Sequence, residues 1–190
     1  MNTQLLDPYT NCPVYETERF TVRKVLLEDA ADLLKCYADP VSMPLFNSDN
    51  CHTDFKMSTV DEMRECIHSW LEAYQRRAYV RFSIVDKRNG KAVGTIEFFS
   101  KNDAGSHVNP TGILRLDLAS KYEDEDLLCE MIGLPDGFRE CFEFEGILTK
   151  AMPLADQRIG ALQRCGYRKV KNKAVLPYDY YYIKEFSRML

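Results

Sequence analysis

The sequence has no long apolar run, few histidines and no paired-cysteine motif. A membrane-spanning helix needs about 20 consecutive apolar residues, and no stretch of the 190 residues approaches that length. The seven cysteines include no C-x-x-C pair, and the three histidines are isolated from one another. Cys51 and His52 are adjacent, but nothing nearby completes a set of metal ligands. We therefore expect no membrane span, no metal site and reduced thiols, as in a cytosolic protein.

The chain also has little excess charge of either sign. Lys and Arg number 25, Asp and Glu number 29, and the formal net charge is −4. A slightly acidic chain is a poor partner for nucleic acid or an anionic membrane surface, and it mildly favours cationic substrates such as amines. The opening residues, MNTQLLDPYTNCP, lack the basic and apolar regions of a secretory signal. These features predict a cytoplasmic protein that binds neither nucleic acid nor membranes.

Length and composition fit one globular domain. Hydrophobic residues make up 45% of the chain and charged residues 28%, which is usual for a protein with a full core. No repeat or low-complexity tract divides the sequence, and 190 residues suit one domain. We expect a single domain over residues 1–190, with residues 1–14 as an N-terminal extension.

Hydrophobic periodicity predicts a mixture of strands and helices. Apolar residues alternate along strands and recur every three or four positions along helices. Alternation predicts strands at 19–25, on both sides of a turn within 79–99, and at 112–119, 146–153 and 178–186; helical spacing predicts helices at 26–38, from 60 to about 74, from 124 onward and at 156–165. This order indicates the α/β class, with a central, mixed, mostly antiparallel twisted sheet of about six to seven strands flanked by about four helices.

Capping and turn residues mark the ends of several elements. Thr59 and Glu62 have the spacing of a capping box at the start of the second helix. Asn89–Gly90 is a pair that suits a type I′ hairpin turn. Asp156 is the predicted N-cap of the last helix, and Gly166 is its predicted C-terminal stop.

Three segments carry a resemblance to a known superfamily: YETERFTVRKVLLEDAADLLKCYADP (15–40), AVGTIEFF (92–99) and RIGALQRCGYRKV (158–170). In their order and spacing they resemble the GNAT N-acetyltransferases, in particular the ribosomal-protein alanine acetyltransferase-like branch. The similarity covers nearly the whole chain from Tyr15 onward. It implies acetyl-coenzyme A as co-substrate, no metal, and a primary amine as acceptor, either a peptide N-terminus or a small amine. It leaves a homodimer open.

The resemblance also implies where the coenzyme would lie. In this superfamily the strand that matches LRLDLA, residues 114–119, parts from its neighbour, and the pantetheine arm fits in the gap. Main-chain N–H groups there would hold the thioester carbonyl, whose oxygen gains negative charge during attack. The coenzyme-binding residues implied in this way are Leu118, Ala119, Ser120, Lys121, Asp126, Leu127 and Arg158.

Two carboxylates interrupt apolar strands and are candidate catalytic groups: Glu97 in GTIEFF and Asp117 in LRLDLA. In the implied reaction the amine attacks directly, so a carboxylate or a bound water need only remove a proton. If the two strands are neighbours, both carboxylates could face one cleft with Arg115, and a half-buried carboxylate there would have a raised pKa suited to a base. The alternative interpretation pairs Asp117 with Arg115 or another cation in a salt bridge on the solvent face.

The expected pyrophosphate loop is acidic in this chain. Members of the superfamily usually have glycines there, whereas this chain has KYEDEDLL, with four consecutive acids at Glu123–Asp126. Carboxylates in the first turn stabilise a helix by roughly 0.3–1 kcal/mol each, so we expect them to cap a helix that begins near Asp124. The superfamily's asparagine and serine positions fall on Ala155 and Arg158. A GNAT-fold module that has lost coenzyme A binding and an unrelated α/β interaction domain therefore stay open beside the acetyltransferase.

Overall fold

Eight strands form one mixed sheet. The computed structural model describes residues 6–49, 56–101, 110–139, 141–171 and 178–186. Within these ranges the strand order is β1-β2-β3-β4-β5-β6-β8-β7, and every neighbouring pair is antiparallel except β5 and β6. The strands are β1 (Tyr15–Glu16), β2 (Phe20–Lys24), β3 (Val80–Asp86), β4 (Lys91–Lys101), β5 (Thr111–Leu118), β6 (Gly146–Lys150), β7 (Arg168–Lys169) and β8 (Tyr181–Glu185).

The predicted fold class is therefore confirmed, with more strands than the expected six to seven. The two strands that the sequence did not reveal, β1 and β7, have two residues each. A segment of that length is too short to show alternation.

Helices cover both faces of the sheet. They are α1 (Ala30–Tyr37), α2 (Val60–Gln75), α3 (Glu125–Gly133), α4 (Pro135–Phe138) and α5 (Asp156–Arg164). Arg81 and Phe82 are consecutive in β3 and so point to opposite faces. Trp70 of α2 lies over the Arg81 guanidinium at 4.4 Å, and Phe138 of α4 stacks on Phe82 at 5.6 Å. Within the described ranges, no helix has the length and apolar character that a membrane crossing requires.

Local capping signals are largely confirmed. Thr59 caps α2, since its hydroxyl accepts from the Glu62 amide at 3.2 Å and the Glu62 carboxylate accepts from the Thr59 amide at 3.1 Å. Gly166 has φ 82° immediately after α5, as expected of a C-terminal stop. The cap of α5 differs from the prediction. Ala155 is the N-cap and Asp156 is the first helical residue, because the Ala155 amide bonds back to Met152 and turns the chain before the helix begins.

The hairpin turn also differs from the predicted type I′ form. That turn needs left-handed backbone at both central residues, but Gly90 has φ 69° and Asn89 does not have a positive φ. The amides of Asn89 and Gly90 both donate to the Asp86 carbonyl, at 3.2 and 2.8 Å, so the loop spans residues 87–90. The longer loop brings Arg88 back to Asp86, whose buried carboxylate accepts from the Arg88 amide and guanidinium.

Candidate active site

A gap opens between β5 and β6. All eight residues of β5 pair with β4, from Thr111 opposite Lys101 to Leu118 opposite Gly94. The pairing of β5 with β6 ends at Leu114 opposite Thr149. Residues 115–118 of β5 therefore continue without a ladder to β6, at the place where the resemblance to the acetyltransferases implies a gap.

Main-chain groups of β5 point into this gap. The Ala119 amide donates to the Val93 carbonyl at 2.9 Å, which directs the main chain of residue 119 toward β4. Because the main-chain groups of successive strand residues point in alternate directions, those of Leu116 and Leu118 point away from β4 and into the gap. The Ser120 amide donates to the Asp39 carboxylate at 3.1 Å. Of the amides of Leu118, Ala119 and Ser120, where the resemblance implies contacts to the thioester carbonyl, that of Leu118 is therefore the one that faces the gap.

The carboxylate of Asp39 holds the chain where β5 ends. Partial desolvation acts to raise its pKa, but hydrogen bonds from Ser120, Ser42 and Val41 outweigh this effect and lower the pKa to about 2. Asp39 therefore stays ionised at neutral pH and fixes the direction of the chain at Ser120. The contact joins residues 81 positions apart, so no local pattern in the sequence predicts it.

Arg158 occupies the open end of the gap. Its side chain is only 4% exposed, and its Nη1 donates to the Leu116 carbonyl at 2.7 Å and to the Leu45 carbonyl at 3.2 Å. Its Nε and Nη2 donate to the Glu123 carboxylate at 2.9 and 2.5 Å. One guanidinium thus connects β5, the loop after α1 and the acidic junction, a set of contacts between segments far apart in the chain.

The amides of the acidic junction already have acceptors. Asp124 is the N-cap of α3, as expected, and its carboxylate accepts from the amides of Asp126 and Leu127 at 3.1 and 3.3 Å. The Glu125 amide donates to Gln157 at 3.1 Å, and the Glu123 amide donates to the Ser120 carbonyl at 3.0 Å. The chain's own oxygens therefore occupy the helix N-terminus that would otherwise attract a phosphate.

The remaining charges of the junction lie near the surface. Glu125 and Asp126 both pair with the exposed Arg164, at 3.0 and 2.8 Å. Lys121 is exposed, and its ammonium group lies 5.0 Å from the centre of the Tyr122 ring. Of the predicted coenzyme-binding residues, Arg158 is the one whose side chain reaches Leu116 in the gap, whereas Asp126 and Leu127 lie in the first turn of α3 and Lys121 lies at the surface.

Glu97 and Asp117 are buried beside Arg81. Arg81 donates to Glu97 at 2.6 Å and to Asp117 at 3.1 Å, and each of the two carboxylate residues is 2% exposed. Arg115 pairs with Glu97 at 3.0 Å. The two carboxylates share one face of the sheet with Arg115, but they are buried in the interior and not half-buried in a cleft, and Asp117 pairs with Arg81 and not with a cation on the solvent face.

The two carboxylate oxygens of Asp117 differ in their contacts. The Tyr37 hydroxyl donates to its Oδ2 at 2.8 Å, whereas its buried Oδ1 has no hydrogen-bond partner in the described part of the chain. Burial raises the pKa of Asp117, and the attraction of Arg81 only partly offsets this effect. A buried carboxylate with a raised pKa and a free oxygen can accept a proton.

Among the described residues, no group of three or more His, Cys, Asp or Glu side chains is arranged to hold a metal ion. Cys51 and His52, the adjacent metal-capable pair, and the isolated His107 lie outside those residues.

Comparison with known proteins identifies the fold. No family model and no curated protein matches the sequence. The ribosomal-protein-S5-alanine acetyltransferase from Vibrio fischeri aligns with a TM-score of 0.67 at 16% identity, covering 91% of this chain and 96% of that chain. The microcin C7 self-immunity acetyltransferase MccE, in complex with acetyl-CoA and AMP, aligns with a TM-score of 0.66 at 13% identity, covering 90% and 94%.

A third solved structure has a ligand of the same kind. RimL, the ribosomal L7/L12 α-N-protein acetyltransferase in complex with coenzyme A, aligns with a TM-score of 0.67 at 10% identity, covering 92% of this chain and 98% of that chain. The chain therefore has the fold of the GNAT acetyltransferases, including those that act on ribosomal proteins.

Proposed function

We propose that the protein is an N-acetyltransferase that moves an acetyl group from acetyl-coenzyme A to a primary amine, either a peptide N-terminus or a small amine. The observation that carries the proposal is the gap between β5 and β6. Main-chain groups of Leu116 and Leu118 point into it, and solved structures of this fold bind coenzyme A or acetyl-CoA. The carbonyl group of a thioester in the gap would meet main-chain N–H groups of a strand that is paired with β4 along its whole length.

The reaction requires no nucleophilic side chain. The amine nitrogen attacks the thioester carbonyl carbon, a C–N bond forms, and the C–S bond breaks as the thiolate leaves. The Leu118 amide is placed to donate to the oxygen that gains negative charge. We assign Asp117 as the group that removes the proton from the ammonium group, and Glu97 as a positioning residue that acts through Arg81.

Donor binding tests the proposal. A ligand at ~100 times its dissociation constant stabilises a protein by about 2.7 kcal/mol, so acetyl-coenzyme A should raise the melting temperature in a concentration-dependent way. Release of free thiol from acetyl-coenzyme A in the presence of primary amines or peptides then measures transfer. The absence of a thermal shift at millimolar acetyl-coenzyme A would contradict the proposal.

The pH dependence of transfer tests the role of Asp117. Asp117→Asn is expected to lower kcat by ~100-fold, as for the loss of a general base. Because burial raises the pKa of Asp117 and a base acts only when deprotonated, wild-type kcat should rise with pH through that pKa. The variant should lose this acidic limb and keep its KM for acetyl-coenzyme A. Glu97→Gln is the comparison and should keep the limb. An unchanged pH profile in Asp117→Asn would assign the base to another group or to water.

A second function is favoured by a specific observation. The Arg158 side chain occupies the gap and the junction amides are already bonded, as expected of a GNAT-fold module that no longer binds coenzyme A. Each acid–phosphate pair at ~6 Å would also repel by roughly 0.7 kcal/mol even in water. The thermal-shift titration separates the two functions, because a module of this kind would show no response to acetyl-coenzyme A.

A further inference from the structure

The side chain of Arg158 fills part of the space that the donor would need. Its Nη1 bonds to the Leu116 carbonyl inside the gap. A pantetheine arm that lies along residues 116–118 would displace this contact. The displaced guanidinium would then need a new acceptor, because a buried arginine without a partner is strongly unfavourable.

A diphosphate is an acceptor of the required kind. Guanidinium groups bind phosphate oxygens through two parallel hydrogen bonds, and in the absence of donor Arg158 makes a contact of this type with the carboxylate of Glu123. The other phosphate-binding groups near the gap are less available. The amides of Asp126 and Leu127 donate to Asp124, and Arg164 pairs with Glu125 and Asp126.

We infer that Arg158 is the phosphate anchor of the donor and that the Glu123 carboxylate is an intramolecular competitor for it. This inference rests on the proposed function. Donor binding is then an exchange of anions: the diphosphate takes the guanidinium from Glu123, and the pantetheine arm takes the place of Nη1 at the Leu116 carbonyl. A donor without phosphates cannot make this exchange, so the Arg158–Glu123 ion pair favours binding of a complete coenzyme.

Two donors that differ in their phosphates test the exchange. Acetyl-coenzyme A and S-acetylpantetheine, which has no phosphate, are titrated by calorimetry into the wild type and into Arg158→Gln, Glu123→Gln and Arg164→Gln. Arg164→Gln is the matched control, because Arg164 lies in the same helix and pairs with acids of the same junction. Circular dichroism confirms that each variant is folded, and Arg158→Lys keeps the charge if Arg158→Gln does not fold.

The expected changes have opposite signs. Arg158→Gln should weaken acetyl-coenzyme A binding by at least ~10-fold, as for the loss of hydrogen bonds to a charged group, and should leave S-acetylpantetheine binding equal or tighter. Arg158→Lys should weaken acetyl-coenzyme A less, because one charge remains but the planar fork is lost. Glu123→Gln should tighten acetyl-coenzyme A binding. Arg164→Gln should leave the affinity for both donors unchanged.

Other outcomes would overturn the inference. Tighter binding of both donors by Arg158→Gln would show that Arg158 only obstructs the gap, and the proposed function would stand. Weaker acetyl-coenzyme A binding by Glu123→Gln would show that Glu123 supports the donor site and does not compete with it. If no variant binds either donor, the anchor and the proposed acetyltransferase fail together.

Discussion

Replacing Arg81 with methionine is expected to destabilise the protein by about 3–5 kcal/mol or to prevent folding, as when one partner of a buried ion pair is removed. Arg81 is 3% exposed and holds Glu97 at 2.6 Å and Asp117 at 3.1 Å. Without its charge both carboxylates would remain in the interior beneath α1 and α2. Methionine has a similar length, so the loss would arise from charge more than from volume.

Urea denaturation of three variants measures this effect. Arg64→Met is the control, because Arg64 lies on the exposed face of α2, where it pairs with Asp61, and its loss should change stability little. Arg81→Met combined with Glu97→Gln and Asp117→Asn should recover part of the loss, since neither position then carries a charged carboxylate in the interior. A single Arg81→Met variant as stable as Arg64→Met would show that the buried cluster does not hold the sheet together.

The pH dependence of Arg81→Met provides a second measurement. In this variant Asp117 loses the attraction of Arg81, so burial should raise its pKa further above the unfolded value. A group with a raised folded pKa favours the folded state below the unfolded pKa, and this contribution is lost as pH rises through the folded pKa. Arg81→Met should therefore gain stability relative to the wild type as the pH is lowered toward 4, and the triple variant should not.

Local signals in the sequence were sufficient for most of the fold. Thr59 and Glu62 form their capping box because both partners lie within one helical turn. The long strands β3, β4 and β5 are buried almost throughout, but polar residues still alternate with apolar ones along them, as Arg115 and Asp117 do in β5, and this alternation predicts strands. Strand neighbourhood also placed Glu97, Asp117 and Arg115 on one face, although the residue that pairs with Arg115 is Glu97, which lies opposite it in β4, and not Asp117.

The role of Arg81 was missed because it depends on strand register. A two-residue turn at Asn89–Gly90 would place Arg81 opposite Phe98, whereas the observed loop and an irregularity between Ile84 and Val85 place it opposite Glu97. A shift of one residue changes the face on which a side chain lies. The four-residue loop alone would place Arg81 opposite Ile96, so the Arg81–Glu97 pair depends on the irregularity between Ile84 and Val85 as well, which no local pattern in the sequence predicts.

The contact between Arg158 and Glu123 had no local signal at all. The two residues are 35 positions apart, and they meet because α3 and α5 pack together beyond the parallel pair of β5 and β6. The sequence placed both residues at the donor site but did not show that they bind each other. The acids of the junction, all expected to cap the helix, have different roles: Asp124 caps α3, whereas Glu123 pairs with Arg158.

Gly94→Ala is expected to destabilise the protein by about 3 kcal/mol or more, at the upper end of the usual penalty for overpacking. A Cβ atom at Gly94 would lie 2.2 Å from the Asp117 carbonyl oxygen and 2.9 Å from the Leu118 Cα. Both are main-chain atoms, so no side chain can rotate away to relieve the contact. The end of β5 would have to move away from β4.

Gly133→Ala is the matched control for this substitution. Gly133 is the last residue of α3, and a Cβ atom there would meet nothing within 4 Å. Alanine is favoured over glycine in helices by roughly 0.5–1 kcal/mol, so this variant should be equally or more stable in urea denaturation. Comparable stability of Gly94→Ala and Gly133→Ala would contradict the close approach of β4 and β5 at Gly94.

Gly94→Ala should also impair the donor site, although Gly94 itself lies in the neighbouring strand β4. Gly94 is paired with Leu118, whose amide we assign to the thioester oxygen, and a shift of β5 would move that amide. A main-chain donor cannot be restored by a side-chain change, whereas loss of Arg158 removes only the phosphate contact. Folded Gly94→Ala should therefore lose kcat as well as donor affinity, and Arg158→Gln should lose mainly donor affinity. If Gly94→Ala keeps wild-type kcat, the main chain of β5 is not the group that stabilises the reacting carbonyl.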